Sequence, residues 1–172
     1  MKRLFVSSMI VEIFLAGAAF ADQPQKSPPA PPAPVPAQIM SGKRIFIANA
    51  GEENVTVPIG SILSGSSDRV YDQFYAGIQK WGRYELVSAP SEADLIFEIG
   101  FTINGSPQLP ETGHLRLSIR DPKTNVLLWT CVEYAQTAIR KGNRDKNLDQ
   151  AMSIIVAELK NLLTPSTAAA EP

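Results

Sequence analysis

Two side chains that each occur once in the chain limit the catalytic and metal chemistry open to it. Cys131 is the only cysteine and His114 the only histidine. One cysteine cannot form an intramolecular disulfide or a cysteine-based zinc site, and one histidine leaves carboxylates as the other ligands of any transition-metal site. Cys131 lies in a strand-like run without a basic neighbour to activate its thiol, so we expect a small buried side chain. We expect His114, at the start of a strand, to be solvated or hydrogen-bonded.

Paired carboxylates and a glycine-rich loop are the next candidates for chemistry. Two acidic pairs, Glu52 with Glu53 and Asp68 with Asp72, lie in polar segments, which favours solubility and helix-end electrostatics over acid–base catalysis. Residues 64–67 precede a helix, where free amides can hold an anion, but they lack the Gly-Lys-Ser/Thr ending of a phosphate loop. The sequence also has no Gly-x-Ser-x-Gly elbow. It therefore predicts a protein that is not an enzyme, with no catalytic residues, no metal ligands and no cofactor.

One cluster of basic residues is the candidate contact for a partner. Arg140, Lys141, Arg144 and Lys146 follow one another closely, and only Asp145 interrupts their charge. A solvated loop is one interpretation of this cluster. The other is a contact for acidic headgroups or for the acidic face of a partner protein. Exposed contacts of this kind weaken with added salt, because charges are screened over about 8 Å at physiological ionic strength.

The charge balance excludes two classes of partner. The chain has 16 basic and 17 acidic residues, of which two basic and one acidic lie in the first 21 residues. The remainder therefore carries a net charge of about −2. Proteins that bind nucleic acid usually show a strong basic excess, and membrane-surface binders carry polybasic segments. We therefore expect no nucleic-acid partner and no polybasic attachment to lipid.

The first 21 residues have the pattern of an export signal. Lys2 and Arg3 precede an apolar run over residues 4–18, and Ala19-Phe20-Ala21 supplies the small-x-small pattern that signal peptidase recognises. The run is shorter than the roughly 20 apolar residues of a membrane span and contains Glu12. Cleavage after Ala21 is the prediction, an uncleaved anchor is the alternative, and the protein is expected in the periplasm or outside the cell. No lipid-anchor cysteine follows the small residues.

Composition divides the remainder into a linker, one domain and a tail. Residues 22–40 hold seven of the chain's 14 prolines, which lack the amide donor needed for helices and sheet ladders. This segment is predicted to be a disordered, extended linker, with a proline-rich docking motif as the alternative. Residues 41–163 are predicted to form a single domain, and residues 164–172 a disordered tail.

Hydrophobic periodicity predicts an α/β (α+β) domain in the order β-α-β-β-β-β-α. Strands are expected at residues 43–48, 84–87, 93–103, 114–120 and 126–139. The first helix is expected to start at Ser66 or Ser67 and to end at Gly82, and the second to start after a basic loop with Asn147 as its cap. The result would be a mixed sheet of about five strands with two amphipathic helices packed on it. The apolar stripes of these helices are Val70, Tyr71, Phe74, Tyr75, Ile78 and Trp81 in the first, and Leu148, Met152, Ile155, Leu159 and Leu162 in the second.

Two long loops define an alternative to protein contact. Residues 49–66 and 104–113 are rich in glycine, proline and serine and are predicted to be loops. A pocket between them would make the protein a binder of small ligands or anions, or a hydrolase. The function that the sequence favours is a different one. It predicts a non-catalytic domain on a flexible leader that works by contact with a protein of the cell envelope.

Four segments together resemble a known type of domain. Arg44-Ile45-Phe46-Ile47 is followed by a helix that ends in Trp81-Gly82-Arg83-Tyr84-Glu85-Leu86-Val87, then by Ala93-Asp94-Leu95-Ile96, then by the turn and strand of residues 120–129. This pattern is similar to the bacterial envelope α/β domains of the curli-secretion-channel and TolB amino-terminal type. The resemblance covers residues 43–163 and implies an α/β fold and a scaffolding or assembly role. It implies no catalytic residues.

Overall fold

The computed structural model describes residues 33–53, 63–106, 109–136 and 138–164. The predicted leader, residues 22–32 of the predicted linker and the residues after 164 lie outside this part. Within it, no helix is both long and apolar enough to span a membrane. The elements are α1 (Ala37–Ser41), β1 (Arg44–Glu53), α2 (Arg69–Trp81), β2 (Glu85–Leu86), a 3-10 turn (Pro90–Glu92), β3 (Leu95–Ser106), β4 (Leu109–Arg120), β5 (Leu127–Ala135) and α3 (Lys141–Leu162).

The five strands form one mixed sheet in the spatial order β2-β1-β3-β4-β5. β1 runs parallel to both β2 and β3, and the segment between β1 and β2 contains α2, as a parallel connection requires. The β3–β4 and β4–β5 pairs are antiparallel. This arrangement confirms the α+β fold with a mixed five-stranded sheet that the sequence predicts.

One face of the sheet carries the core. Alternate residues of each central strand point to this face, as in Leu95, Phe97 and Ile99 of β3, which are fully buried. The register places Phe97 beside Ile119 of β4, so the apolar side chains form continuous rows across the strands. The two long helices bury their predicted stripes against these rows. Their fully or almost fully buried members are Val70, Phe74 and Ile78 in α2 and Leu148, Met152, Ile155 and Leu159 in α3.

The strands at the centre of the sheet are longer than the sequence predicts. Residues 104–113, expected to be a loop, belong mostly to the ends of β3 and β4, and β1 continues to Glu53. β5 is shorter than expected and ends at Ala135. Glycine and proline are poor guides here because a long antiparallel pair, with residues matched from Ile96–Arg120 to Ser106–Leu109, satisfies the backbone hydrogen bonds of both strands.

The packed region begins before residue 41, within the segment predicted to be a linker. The short helix α1 buries Ile39 completely, and the side-chain amide of Gln38 donates to the Asp94 carbonyl (3.3 Å). The Asp94 carboxylate in turn accepts the backbone amides of Lys43 (3.0 Å) and Arg44 (2.9 Å). The apolar residue at position 39 therefore joins the core, although the proline content of the preceding segment favours an extended chain.

Both long helices begin at residues other than those predicted, whereas the predicted end of α2 is correct. Asp68 occupies the N-cap of α2, without a side-chain capping bond, in place of the predicted Ser66 or Ser67. α3 begins at Lys141, six residues before the predicted cap Asn147, so residues 141–146 are helical and the prediction of a basic loop there is wrong. The predicted end of α2 is confirmed, because Gly82 adopts the left-handed conformation (φ 68°) and its amide bonds the Ile78 carbonyl.

Candidate functional site

The four basic residues that are either a solvated loop or a partner contact in the sequence analysis lie at the start of α3. Arg140 is the N-cap residue and Lys141 the first helical residue, and both are exposed, as is Lys146. Arg144 is partly buried and donates from Nη1 to the carbonyl of Ala138 (2.8 Å). The positive charges therefore add to the positive end of the helix dipole, and Arg144 also ties the incoming chain to the helix.

Asp145, which interrupts the basic cluster in sequence, belongs to a different contact. Its carboxylate accepts the backbone amide of Ser64 (2.8 Å) and binds the guanidinium of Arg69. Arg69 also binds Asp149 (2.7 Å), so one side chain of α2 joins two carboxylates of α3. Burial raises the pKa of Asp145, but the bonds from Ser64 and Arg69 outweigh it and the pKa lies below its ordinary value. The Ser64 amide, one of those considered for anion binding at residues 64–67, is therefore used in an internal contact.

The other residues that could do chemistry do not come together. The ring of His114 contacts Tyr134 edge-on with centroids 4.8 Å apart, and Asp68 accepts a hydrogen bond from Asn49 (3.0 Å). Asp72 is exposed, and nothing is described of the side chains of Glu52 and Glu53. The described residues contain no group of three or more histidine, cysteine or acidic side chains placed to hold a metal.

The alternative function depends on a pocket between two loops, residues 49–66 and 104–113, and the described parts of both segments are largely not loops. Residues 54–62 lie outside the described part of the chain, and 104–113 are largely strand. The alternative function that rests on this pocket therefore gains no support from the geometry.

The outer edge of β5 is an open strand edge. β5 has nine residues, eight of which pair with β4 on one side, and among the described strands none pairs with its other side. Three of its apolar side chains are exposed, with relative accessibilities of 48% for Leu127, 39% for Val132 and 61% for Tyr134. Val132 and Tyr134 pair with Arg116 and His114 on the face of the sheet away from the helices. An open edge presents unpaired amide and carbonyl groups, which can pair with another extended chain.

A groove follows this edge because α3 runs antiparallel to β5 alongside it. At one end a cavity of about 260 Å³ lies between Tyr134 and Gln136 of the sheet side and Asn147, Gln150 and Ile154 of α3. The Asn147 side chain donates to the Gln136 carbonyl (2.7 Å) and closes this end. At the other end a cavity of about 430 Å³ is lined by four consecutive residues of β5 and by the last turns of α3, namely Trp129, Thr130, Cys131, Val132, Glu158, Asn161 and Leu162.

Two carboxylates meet along the groove, and one of them, Glu158, also lines the cavity near Trp129. Glu158 of α3 lies within hydrogen-bonding range of Glu133 of β5, and partial burial together with the Glu133 charge raises the pKa of Glu158. Among the described residues neither carboxylate forms an ion pair. Cys131 is buried beside them, as predicted, and burial together with the charge of Glu158 raises the pKa of its thiol to about 11. This thiol is therefore protonated and unreactive at neutral pH.

Sequence reasoning did not identify this groove. Cys131 and the strand around it are apparent from the sequence, but a strand's place at the edge of a sheet depends on long-range pairing. One signal was present, because Thr130, Val132 and Tyr134 alternate with Cys131 and Glu133, so both faces of this strand mix polar and apolar residues. The basic cluster lies beside the same groove, within the two turns that precede Asn147.

Comparison with solved structures finds similarity to several bacterial proteins. The PelC dodecamer from Paraburkholderia phytofirmans shares 10% identity at a TM-score of 0.43, with 74% of this chain and 93% of that chain covered. A DUF330 protein from Xanthomonas campestris shares 12% identity at a TM-score of 0.44, with 76% of this chain and 86% of that chain covered. The lipoprotein GNA1162 from Neisseria meningitidis shares 15% identity at a TM-score of 0.39, with 70% of this chain and 99% of that chain covered. No family model matches the chain, and no curated protein matches its sequence. At these identities and TM-scores, no function passes from these proteins to this chain.

Proposed function

We propose that this protein is an exported, non-catalytic domain of the bacterial cell envelope that works by binding another protein through the outer edge of β5. The export signal, the linker and the scaffolding role implied by the curli-secretion-channel and TolB resemblance belong to this proposal. The observation that carries it is the open, nine-residue edge of β5 with its exposed apolar side chains. An edge of this kind invites pairing with an extended segment of another chain.

The opposite side of the sheet supports the choice of β5. There β2 has only two residues, and a bulge between Asn49 and Gly51 interrupts the regular pairing of β1 with β3. Short strands and bulges are the usual means by which proteins block unwanted pairing at sheet edges. The pairing of β5 with β4 has a register shift only at its start, opposite Ile119 and Arg120, and the rest of β5 is long and regular. This is expected of an edge that is used.

The basic cluster supplies a charged rim to this surface. Arg140, Lys141 and Lys146 are exposed close to the Gln136 end of the groove, and Arg144 fixes the chain between β5 and α3. In the proposal these residues contact acidic groups of the partner beyond the paired strand. Their contribution should fall with added salt, whereas the backbone pairing along β5 should be much less sensitive.

Site-specific photo-crosslinking tests this function. The photoreactive residue p-benzoylphenylalanine replaces Thr130 or Tyr134 on β5, and Gln79 on the exposed face of α2 serves as the matched control position. After irradiation of intact cells, adducts are isolated from the envelope fraction and the partner peptide is sequenced by mass spectrometry. We expect one protein to be captured from both β5 positions and not from position 79.

Two results would contradict the proposal. Adducts that form equally well from position 79 would show that contact is not specific to β5. A protein that remains free of adducts from every position, while crosslinking of an established envelope complex succeeds in the same cells, would show that β5 has no partner.

A further inference from the structure

The groove between β5 and α3 has the dimensions of a seat for one extended strand. Its two cavities are centred near residues 135 and 131 of β5, about four residues apart, which corresponds to about 14 Å along a strand. Side chains on one face of a strand repeat every two residues, about 7 Å. A strand paired with β5 would therefore direct one side chain into each cavity and a third between them.

The position of β5 between the two cavities is acidic. Glu133 lies there, and its neighbour Glu158 lines the adjacent cavity near Trp129. Among the described residues neither has a cationic partner. Two neighbouring carboxylates repel each other when both are charged, and a cation placed between them removes this cost. A lysine or arginine at the middle position of the incoming strand has the reach and the charge to do so.

The same charges disfavour a second copy of this chain as the occupant. β5 itself (Leu127–Ala135) contains no lysine or arginine, so a second copy paired through the same strand edge offers no cation to Glu133 and Glu158. Its own Glu133 would only add negative charge to the interface.

We propose that the groove receives an extended segment of a different protein, which pairs with the outer edge of β5 and places a lysine or arginine side chain between Glu133 and Glu158, flanked two residues away on each side by side chains that fill the two cavities. The cavity near Tyr134 has polar side chains among its lining residues, and the cavity near Trp129 includes Leu162. The partner segment is therefore amphipathic as well as basic. This inference rests on the proposed function of the β5 edge and specifies what that edge recognises.

Selection of peptides from a random nine-residue library displayed on phage tests the inference with the full chain as target. We expect the selected peptides to carry lysine or arginine at one fixed position, with larger side chains two residues before and after it. A representative peptide should bind at least tenfold more weakly to the Glu133→Gln/Glu158→Gln variant. Removal of the like-charge repulsion should leave that variant at least as stable as the parent, which a thermal unfolding curve verifies.

Two controls are needed. The first shows whether the loss of binding depends on these two glutamates or only on net charge, and the second shows whether the peptide pairs with β5 through its backbone. The Glu85→Gln/Glu92→Gln variant makes the same change in net charge at exposed positions away from the groove, and should bind the peptide with unchanged affinity. In the second control, single backbone amides of the peptide are methylated. Methylation of an amide that bonds to β5 should abolish binding, and methylation of the amides in between, which point away from β5, should have little effect.

Selected peptides without a conserved basic residue, or equal binding to both double variants, would overturn the inference. A dimer of the chain that is lost when β5 is altered would also overturn it, because the second copy would then be the occupant. If crosslinking from Thr130 and Tyr134 still captures a partner, such results leave the proposed function intact. If the crosslinks also fail, both conclusions fall.

Discussion

The guanidinium of Arg69, at the first residue of α2, binds the carboxylate of Asp145, in the first turns of α3. The two residues are 76 positions apart in sequence, and both side chains are about four-fifths buried. Arg69 also donates to Asp149 and to the carbonyl of Ser64 (2.9 Å). This single side chain therefore holds together the starts of both long helices and the segment that leads into α2.

We expect Arg69→Lys to destabilise the protein by about 1–2 kcal/mol, because a lysine cannot reproduce several charge-assisted bonds in fixed directions. The midpoint of urea unfolding should fall without a change in slope. Arg83→Lys is the matched control, since Arg83 is exposed, forms a long bond to the Met40 carbonyl (3.3 Å) and lies over the Tyr84 ring (5.6 Å), where a lysine can also place its charge. Equal losses in the two variants would show that the Arg69 contacts add little.

The raised pKa of Glu158 predicts the pH dependence of one variant. An acid whose pKa is higher in the folded than in the unfolded chain stabilises the fold while protonated and loses that contribution as pH rises through the folded pKa. Glu158→Gln, which mimics the protonated form, should therefore raise the melting temperature at pH 7. Below the ordinary glutamate pKa of 4.5 the difference should vanish. The same gain at pH 3 would show that packing, and not charge, is the cause.

Gly82, at the end of α2, has a left-handed backbone conformation that disfavours any side chain. We expect Gly82→Ala to destabilise by about 1 kcal/mol, because a side chain is disfavoured at φ 68°. Gly142, in the first turn of α3, has no other atom within 4 Å of where a Cβ would lie. Gly142→Ala should stabilise by up to about 1 kcal/mol. Chemical denaturation of both variants checks the opposite signs.

The raised pKa of the Cys131 thiol predicts slow alkylation. With a pKa of about 11 and a buried position, the folded protein should react with iodoacetamide at pH 8 at least tenfold more slowly than the urea-unfolded chain. A Thr130→Cys substitution in a Cys131→Ser background places a thiol on the exposed face of the same strand and should react rapidly when folded. Rapid reaction of native Cys131 would contradict the described burial.

The periodicity of apolar residues in the sequence was sufficient to predict the buried face of those helices and strands that have a single continuous apolar side. Phe74 and Ile78 in α2, and Leu115 and Leu117 in β4, lie on the predicted faces because burial of one side sets the phase of a helix or strand. The start of α3 was missed because residues 141–146 are polar, and the bonds that hold them, such as Arg69 to Asp145, come from a distant part of the chain.

The candidate site was harder to predict than the fold. The basic cluster is a local composition feature and was found directly. The groove depends on β5 being the last strand of the sheet and on α3 returning alongside it, and both follow from pairings between residues far apart in sequence. Glu133 and Glu158 are 25 positions apart, so their proximity has no signature in a single sequence.

The contacts of α1 place the beginning of the described chain at the end of the sheet where β1, β3 and β5 start. β1, β3 and β5 all point the same way, and Gln38 of α1 bonds the Asp94 carbonyl just before β3 begins. The last turn of α3 returns to Trp129 at the start of β5, so both ends of the described chain leave from one pole of the molecule. A tether attached at either end would hold that pole towards the surface to which it is anchored. The opposite pole, with Tyr134 and Arg140, would then project away from the anchor, where an incoming protein arrives first.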